Sequence, residues 1–263
     1  MTTEARKVPQ GRVFPVPIPW ERVPWWAVIL AIVGVTIGWS VLTSEAYLRV
    51  IRFVTVGVRL TLHVTVVSYI IALVLGLIFG LMRVSDNPVL YAVSTLYVEV
   101  IRGIPLLVII LYVGYVITPR IRDATGGQIN LQGVPAAVLA MAICYGAFEA
   151  EVYRGGIESI EAGQMEAARS LGMSYIQAMR YVILPQAIRR ILPPLGNDFI
   201  SLLKDSALIS VIALPDLLQM GRLYVSRTYR AFEGYNTVAL LYLVMTLCLS
   251  LVVRLVERKA AIE

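Results

Sequence analysis

Six apolar runs, separated by short polar breaks, organise this 263-residue chain. Trp26 to Thr43 carries no charge and, at about 18 residues, is long enough to cross a bilayer as a helix. It is longer than the apolar stretch of a secretory signal and has no obvious small-x-small cleavage pattern, so we read it as a retained helix. Before it, residues 1–24 mix Arg6, Lys7, Arg12 and Arg22 with five prolines (Pro9, Pro15, Pro17, Pro19, Pro24), which predicts an irregular tail. Trp20, Trp25 and Trp26 suit the headgroup level. Leu60 to Met82 is a second uncharged run, broken in character only by His63. Pro88 to Pro119 is split by Glu99 and Arg102. That split predicts an interfacial helix up to Gly103 and a span running on from Pro105. The alternative is one helix from Val89, with Glu99 and Arg102 paired one turn apart.

Gly133 to Phe148 is apolar and is extended by Glu149, Ala150, Glu151 and Arg154. Ile191 to Leu214 is apolar but interrupted by Pro193, Pro194, Asp198, Lys204 and Asp205. Val238 to Val253 closes the set as a clean run. The predicted spans are therefore roughly 26–44, 56–82, 103–119, 133–153, 194–214 and 235–255. Six spans put both termini on one side. With the termini inside, the inner segments hold fourteen basic residues and the outer segments eight, which favours that orientation.

Composition agrees with a membrane protein: 58% of residues are hydrophobic and only 15% charged, against about 25% in soluble domains. The net charge of +6 fits arginine-rich loops beside anionic lipid. The basic residues lie scattered between apolar runs, which argues against nucleic acid as a partner. Cys144 and Cys248 sit in separate runs, so neither a disulfide framework nor a metal site is predicted. Glu99-Val-Ile-Arg102-Gly103 recurs as Glu151-Val-Tyr-Arg154-Gly155. Each places a carboxylate and an arginine on one helical face, near the cytoplasmic boundary of the assigned topology. The structural reading of Glu99, Arg102, Glu151 and Arg154 is a pair of neutralised helix ends.

One segment breaks the apolar pattern. Met165 to Pro185 reads MEAARSLGMSYIQAMRYVILP. Gly172 suits the left-handed position that ends a helix. Ser174 follows as an N-cap, with Gln177 in capping-box spacing. Ile176, Met179, Tyr181 and Val182 offer an apolar stripe for the second helix, and Pro185 either stops it or begins the next segment. The pattern predicts two short helices joined by a turn, in a loop that the assigned orientation places in the cytoplasm.

This segment resembles the EAA loop of ABC importer permeases: E-A-A, three residues, G, nine residues, then I-x-L-P. The matching residues are Glu166, Ala167, Ala168, Gly172, Val182, Leu184 and Pro185, with valine in place of isoleucine as the one departure. The stretches Tyr97–Leu107, Tyr145–Ile160, Gly163–Ser174 and Leu192–Leu208 are similar to the polar amino acid subfamily, which imports histidine, glutamine, glutamate, arginine and related solutes. The likeness covers about residues 55–257. It implies an all-α integral membrane protein with the type I ABC importer transmembrane domain. That domain would be a five-helix core plus one extra N-terminal transmembrane helix. The implied organisation is a cytoplasmic tail over 1–24, the extra helix over 25–48, and the permease domain over 55–257 with a coupling loop at 158–185.

The resemblance also implies a mechanism and partners. Two permease subunits, identical or different, would form the pathway in a bacterial inner membrane, with both termini cytoplasmic. Glu166, Ala167, Ala168, Arg169, Leu171 and Gly172 would dock on an ABC ATPase dimer. An extracytoplasmic solute-binding protein would deliver the amino acid. The chain has no Gly-Lys dipeptide and hence no P-loop, so ATP and Mg are expected on the separate ATPase, with no cofactor in this chain.

Charges within a span are costly and tend to face a cavity or a partner. Glu149, where the resembled family more often carries an uncharged residue, is the sharpest candidate for a substrate contact. A carboxylate in the pathway would favour a basic amino acid, and Glu149→Gln would then abolish substrate-stimulated ATP hydrolysis. Its alternative is an internal pair with Lys204 or an arginine. Lys204, Asp205 and Ser206 match the family's K-D-S/T segment. Lys204 is read either as an internal ion pair or as a contact to a substrate carboxylate. Tyr145 and Asn197 add neutral hydrogen bonds at the same depth. His63 is either a hydrogen-bonded packing residue or a proton relay.

Other classes fit less well. An intramembrane hydrolase needs a nucleophile with a paired base, yet there is one histidine and no GxSxG elbow. A channel or ion-coupled transporter leaves the polar helical pair without a task. Sugar or phosphate importers are disfavoured by the motifs flanking the EAA segment.

Overall fold

The computed structural model describes residues 25–262, which are predominantly helical with no strand among them. The expected irregular tail, and Trp20 within it, lie outside the described residues. The chain divides into two compact units, residues 1–44 and 45–263.

The first unit contains α1 (Trp25–Thr43). Its hydroxyls are satisfied within the helix: Thr36, Ser40 and Thr43 donate to the carbonyls of Ile32, Thr36 and Trp39. That is the arrangement an apolar solvent demands of a polar side chain.

The second unit is built on α2 (Glu45–Val84) and α5 (Val134–Glu158). At 1.5 Å per residue α2 is about 60 Å long, roughly twice a bilayer's hydrocarbon thickness. It begins well before the expected 56. The early part is amphipathic: Tyr47, Val50, Val54 and Gly57 are buried at helical spacing, while the arginines between them reach outward. Val50 and Val54 pack with Leu217, Tyr224 and Val238 from α9 (Leu217–Thr228) and α10 (Ala231–Ile262). Asp216 caps α9 by accepting from the Leu218 and Gln219 amides, and also accepts from the Tyr242 hydroxyl. The Thr61 hydroxyl accepts from the Leu217 amide, tying that cap to α2.

After Asn87, which caps it, α3 (Pro88–Gly103) ends at an extended Ile104. α4 (Leu106–Ala124) then leaves at 102° to α3. The break is a consequence of Pro105, which drives its predecessor out of the helical region. The interrupted path is therefore the one that forms, not the continuous helix from Val89.

The elbow comprises α6 (Ala162–Ser170) and α7 (Tyr175–Ala178). α7 runs through a π-helical turn, Met179–Ile183, into α8 (Leu184–Asp205), which continues as a 3-10 stretch to Ile212. A π turn also interrupts α4 at Val113–Ile117. Each π turn ends two residues before a proline, Pro119 or Pro185. A proline ring collides with the carbonyl four residues back, and the wider turn relieves that collision.

In the second unit, α2, α5 and residues 231–258 of α10 are long and apolar enough to cross a membrane. α3 and α4 make a fourth span if the bent pair counts as one. The span expected over 194–214 differs most. Its residues belong to α8, with Pro193 and Pro194 inside the helix, and to the 3-10 stretch that follows.

α2 and α5 approach closely because glycines line the contact. A Cβ on Gly76 would lie 2.4 Å from Glu149 Cβ, and one on Gly80 2.8 Å from Tyr153 Cβ. Gly146 on α5 does the same in return, against Leu75. This is small-residue packing of the kind that joins membrane helices, where no hydrophobic force between them is available. Gly76→Val should therefore cost about 1–3 kcal/mol and lower the thermal midpoint of the detergent-solubilised protein. Gly155→Ala, which would meet nothing within 4 Å, serves as the control. An equal midpoint for both variants would rule out this contact as the determinant.

Candidate functional site

The elbow is assembled from local signals. Gly172 takes φ +84° and lets the chain reverse after α6. The Ser174 hydroxyl then accepts from the Gln177 amide, and the Gln177 side chain accepts from the Ser174 amide at 2.9 Å. Of the expected apolar stripe, Met179 and Val182 turn toward the protein, joined by buried Ile183 and Ala187. Ile176 and Tyr181 point outward instead, 76% and 64% exposed. Leu171, at the tip, is 82% exposed. Glu166, Ala167, Arg169 and Gly172 are also exposed, whereas Ala168 is buried beneath them. Leu171, Gly172, Met173, Gln177 and Tyr181 border a shallow depression of about 310 Å³.

Beneath the elbow lies an apolar root of Ile160, Ile183, Ala187 and Ile191, with Val152 and Tyr153 of α5 against it. Ile191 packs so tightly on Gly156 that a Cβ there would meet it at 2.1 Å. Arg190 donates to the Ser159 carbonyl at the end of α5. The elbow is thus fixed to both α5 and α8.

An ionic network ties the neighbouring helix ends. Arg83 on α2 bonds Glu99 of α3 at 3.1 Å and Glu151 of α5 at 2.9 Å. Glu151 also pairs with Arg154, and Arg154 with Glu158. Glu99 is not paired with Arg102, because Arg83 reaches it from α2. Arg102 instead lies over the Phe148 ring, 5.4 Å from its centroid.

Arg102 borders a cavity of about 330 Å³ at the α3–α4 break, with Gly103, Pro105, Cys144, Tyr145 and Asp205 also on its wall. The Tyr145 hydroxyl donates to Asp205 Oδ2 at 2.8 Å, joining α5 to the end of α8. Of the six expected substrate residues, the structure brings Tyr145 and Asp205 together here. Ser206 is buried and donates to the Leu203 carbonyl. Asn197 and Lys204 are exposed elsewhere on α8, and Lys204 forms no ion pair among the described residues.

Glu149 does not border this cavity. It is fully buried against Gly76 of α2, and neither carboxylate oxygen has a hydrogen-bond partner among the described residues. The neighbouring Tyr69 hydroxyl donates its hydrogen bond to the Leu195 carbonyl. The glycine spacing on α2 draws that face of α5 into the helix interface, so Glu149 lies apart from the cavity at the α3–α4 break. The expected internal pair with Lys204 or an arginine is likewise not formed among the described residues. His63 is exposed on α2 and makes no hydrogen bond among the described residues, so the packing role expected for it does not form. Arg102 and Phe148 are among the cavity residues that sequence reasoning did not assign to the pathway. The signal was Arg-Gly-Ile-Pro at 102–105, an arginine set just before a helix-breaking proline.

Residues 72–262 match the family model described as binding-protein-dependent transport system inner membrane component. A probable glutamine ABC transporter permease protein of Bacillus subtilis is 42% identical over 199 residues, covering 76% of this chain and 89% of that protein. The glutamine transport system permease protein of Escherichia coli is 36% identical over 206 residues, covering 78% and 92%. A crystal structure of an amino acid ABC transporter with histidines superposes with a TM-score of 0.72 at 42% identity. It covers 81% of this chain and 96% of its own. The fold is that of type I ABC importer transmembrane domains. From its matched residues and its relatives, the chain belongs to the family of binding-protein-dependent transport system inner membrane components.

Proposed function

We propose that this chain is the permease subunit of an ATP-driven importer of a polar amino acid, and that a separate ATPase grips its elbow. The observation that carries the reading is the exposed elbow, rooted at once on α5 and α8 and tipped by Leu171. An exposed apolar tip on a rigid root suits a partner's groove, and an isolated protein has no use for it. Both termini and the elbow lie on the cytoplasmic side in this reading, as the arginine bias favours. ATP and Mg belong to the ATPase. A second permease subunit completes the pathway, and a solute-binding protein loads it from outside.

The mechanism follows from connectivity. The elbow and the cavity sit on the same two helices. The Gly156–Ile191 contact joins them beneath the elbow, and the Tyr145–Asp205 hydrogen bond joins them at the cavity. Closure of two ATPases draws their elbows together. The helices follow as rigid bodies and the cavity changes the side to which it opens. Asp205, not Glu149, is the carboxylate the cavity presents.

Isolated from membranes by an affinity tag, the chain should bring down an ABC ATPase. Leu171→Asp should cut that recovery at least about 10-fold, as expected for a lost interface anchor, while membrane insertion is unaffected. Gly172→Val, strained at positive φ by about 1–2 kcal/mol, should do the same. Undiminished ATPase recovery with both variants would count decisively against the elbow as the docking point. Within the pathway, Asp205→Asn should depress uptake strongly. Glu149→Gln, nearly isosteric and away from the cavity, should preserve most of it. The reverse order, measured in proteoliposomes, would return Glu149 to the pathway.

A further inference from the structure

Resting on the importer reading, the geometry points to the first turns of α2, together with α9, as the docking surface for an acidic face of the solute-binding protein. Residues 45–59 and 217–230 hold six arginines, Arg49, Arg52, Arg59, Arg222, Arg227 and Arg230, against one acid, Glu45. With the termini inside, all six lie on the translocated side, where basic residues oppose the bias that orients a membrane protein. Arg230 alone of the six has an ion-pair partner among the described residues, Glu233 at 3.8 Å. Five unpaired arginines kept against that bias call for an acidic partner.

The arginines are also gathered. Arg49, Arg52, Val56 and Arg59 recur at helical spacing and are all exposed, so they form one stripe on α2 opposite its buried face of Val50, Val54 and Gly57. Arg227 of α9 lies over the Phe53 ring, 5.6 Å from its centroid, which joins α9 to the stripe. At the end of α9, Tyr229 is 91% exposed between Arg227 and Arg230 in sequence. Its left-handed backbone, at φ 57°, is held by its amide, which donates to the Val225 carbonyl at 2.8 Å. A rigidly displayed tyrosine flanked by arginines has the composition of an interface anchor.

The length of α2 favours a protein over lipid as the occupant. The helix runs unbroken from Glu45 to Val84, and its uncharged run starts at Leu60. With the hydrocarbon edge at Leu60 and a tilt of about 20°, Arg52 stands about 11 Å and Arg49 about 15 Å beyond that edge. The headgroup layer is only about 5–7 Å deep. Both arginines therefore project past the lipid, into the water from which a soluble protein docks. A second copy of the chain meeting this stripe across a two-fold axis would set arginine against arginine. An acidic protein face matches the charge, and such a match steers encounter and fixes register.

The test uses the permease with its ATPase in phosphatidylcholine nanodiscs. The probe is the solute-binding protein that, loaded with amino acid, stimulates ATP hydrolysis by the complex, and its half-saturating concentration is measured. The double variant Arg49→Gln, Arg52→Gln should raise that concentration about 10-fold or more, the loss expected when steering charges are removed. Basal hydrolysis and maximal stimulation should stay as they are. Raising salt from about 50 to about 200 mM should weaken docking on the unaltered complex and affect the double variant much less. Tyr229→Ala should weaken docking and keep the salt dependence. A half-saturating concentration unmoved in the double variant would overturn the surface and leave the importer reading standing. So would an effect seen only after anionic phosphatidylglycerol is added, which would make lipid the occupant. Should the double variant not assemble, the salt series on the unaltered complex decides, and indifference to salt overturns the surface. A complex that no solute-binding protein stimulates sinks both.

Discussion

Ile191 seated on Gly156 is the contact from which the rest of the account follows. With no Cβ at 156, the end of α5 comes within direct reach of α8, and the elbow between them has a floor of packed side chains instead of a flexible stalk. A loop on a stalk absorbs a push. A loop on two packed helices transmits it, because close-packed interiors shift between discrete arrangements and do not deform continuously. The same two helices carry Tyr145 and Asp205 at their other meeting point. Handle and cavity are therefore two ends of one helix pair.

A second constraint holds that pair to the rest of the unit. Gly76 and Gly80 on α2 and Gly146 on α5 remove the side chains that would keep the helices apart. Where lipid is as apolar as leucine, such closeness, with dispersion contacts and a few interhelical hydrogen bonds, is what joins helices. The hydrogen bonds are visible here: Ser68 to the Val138 carbonyl, Tyr97 to the Ile143 carbonyl and Tyr69 to the Leu195 carbonyl. Arg83 completes the frame at one end by bridging α3 and α5. The α3–α4 bend lies beside that frame, and its geometry opens the cavity.

Features encoded over a few consecutive residues were legible in the sequence. The turn at Gly172, the reciprocal Ser174–Gln177 cap and the break at Pro105 each depend on neighbours within four positions. Features set by the direction a helix face points were not. Glu149 reads as a pathway carboxylate until the glycines of α2, 69 to 73 residues earlier in the chain, draw it into the interface. Ile176 and Tyr181 read as one apolar stripe with Met179 and Val182, yet both are exposed, Ile176 before the π turn and Tyr181 within it. The early turns of α2 were missed because its arginines mask a buried face that only α9 and α10 reveal. Arg102 was read against its helical neighbour Glu99, since nothing local shows that Arg83 claims that carboxylate first.

The central claim concerns which side of the membrane the elbow faces and what holds it there. A single cysteine at Leu171, with Cys144 and Cys248 replaced, can be challenged with a membrane-impermeant maleimide in right-side-out and inverted vesicles. The account predicts modification in inverted vesicles only, and protection there once the ATPase is bound. Modification from the outer face, or equal labelling with and without the ATPase, would contradict it.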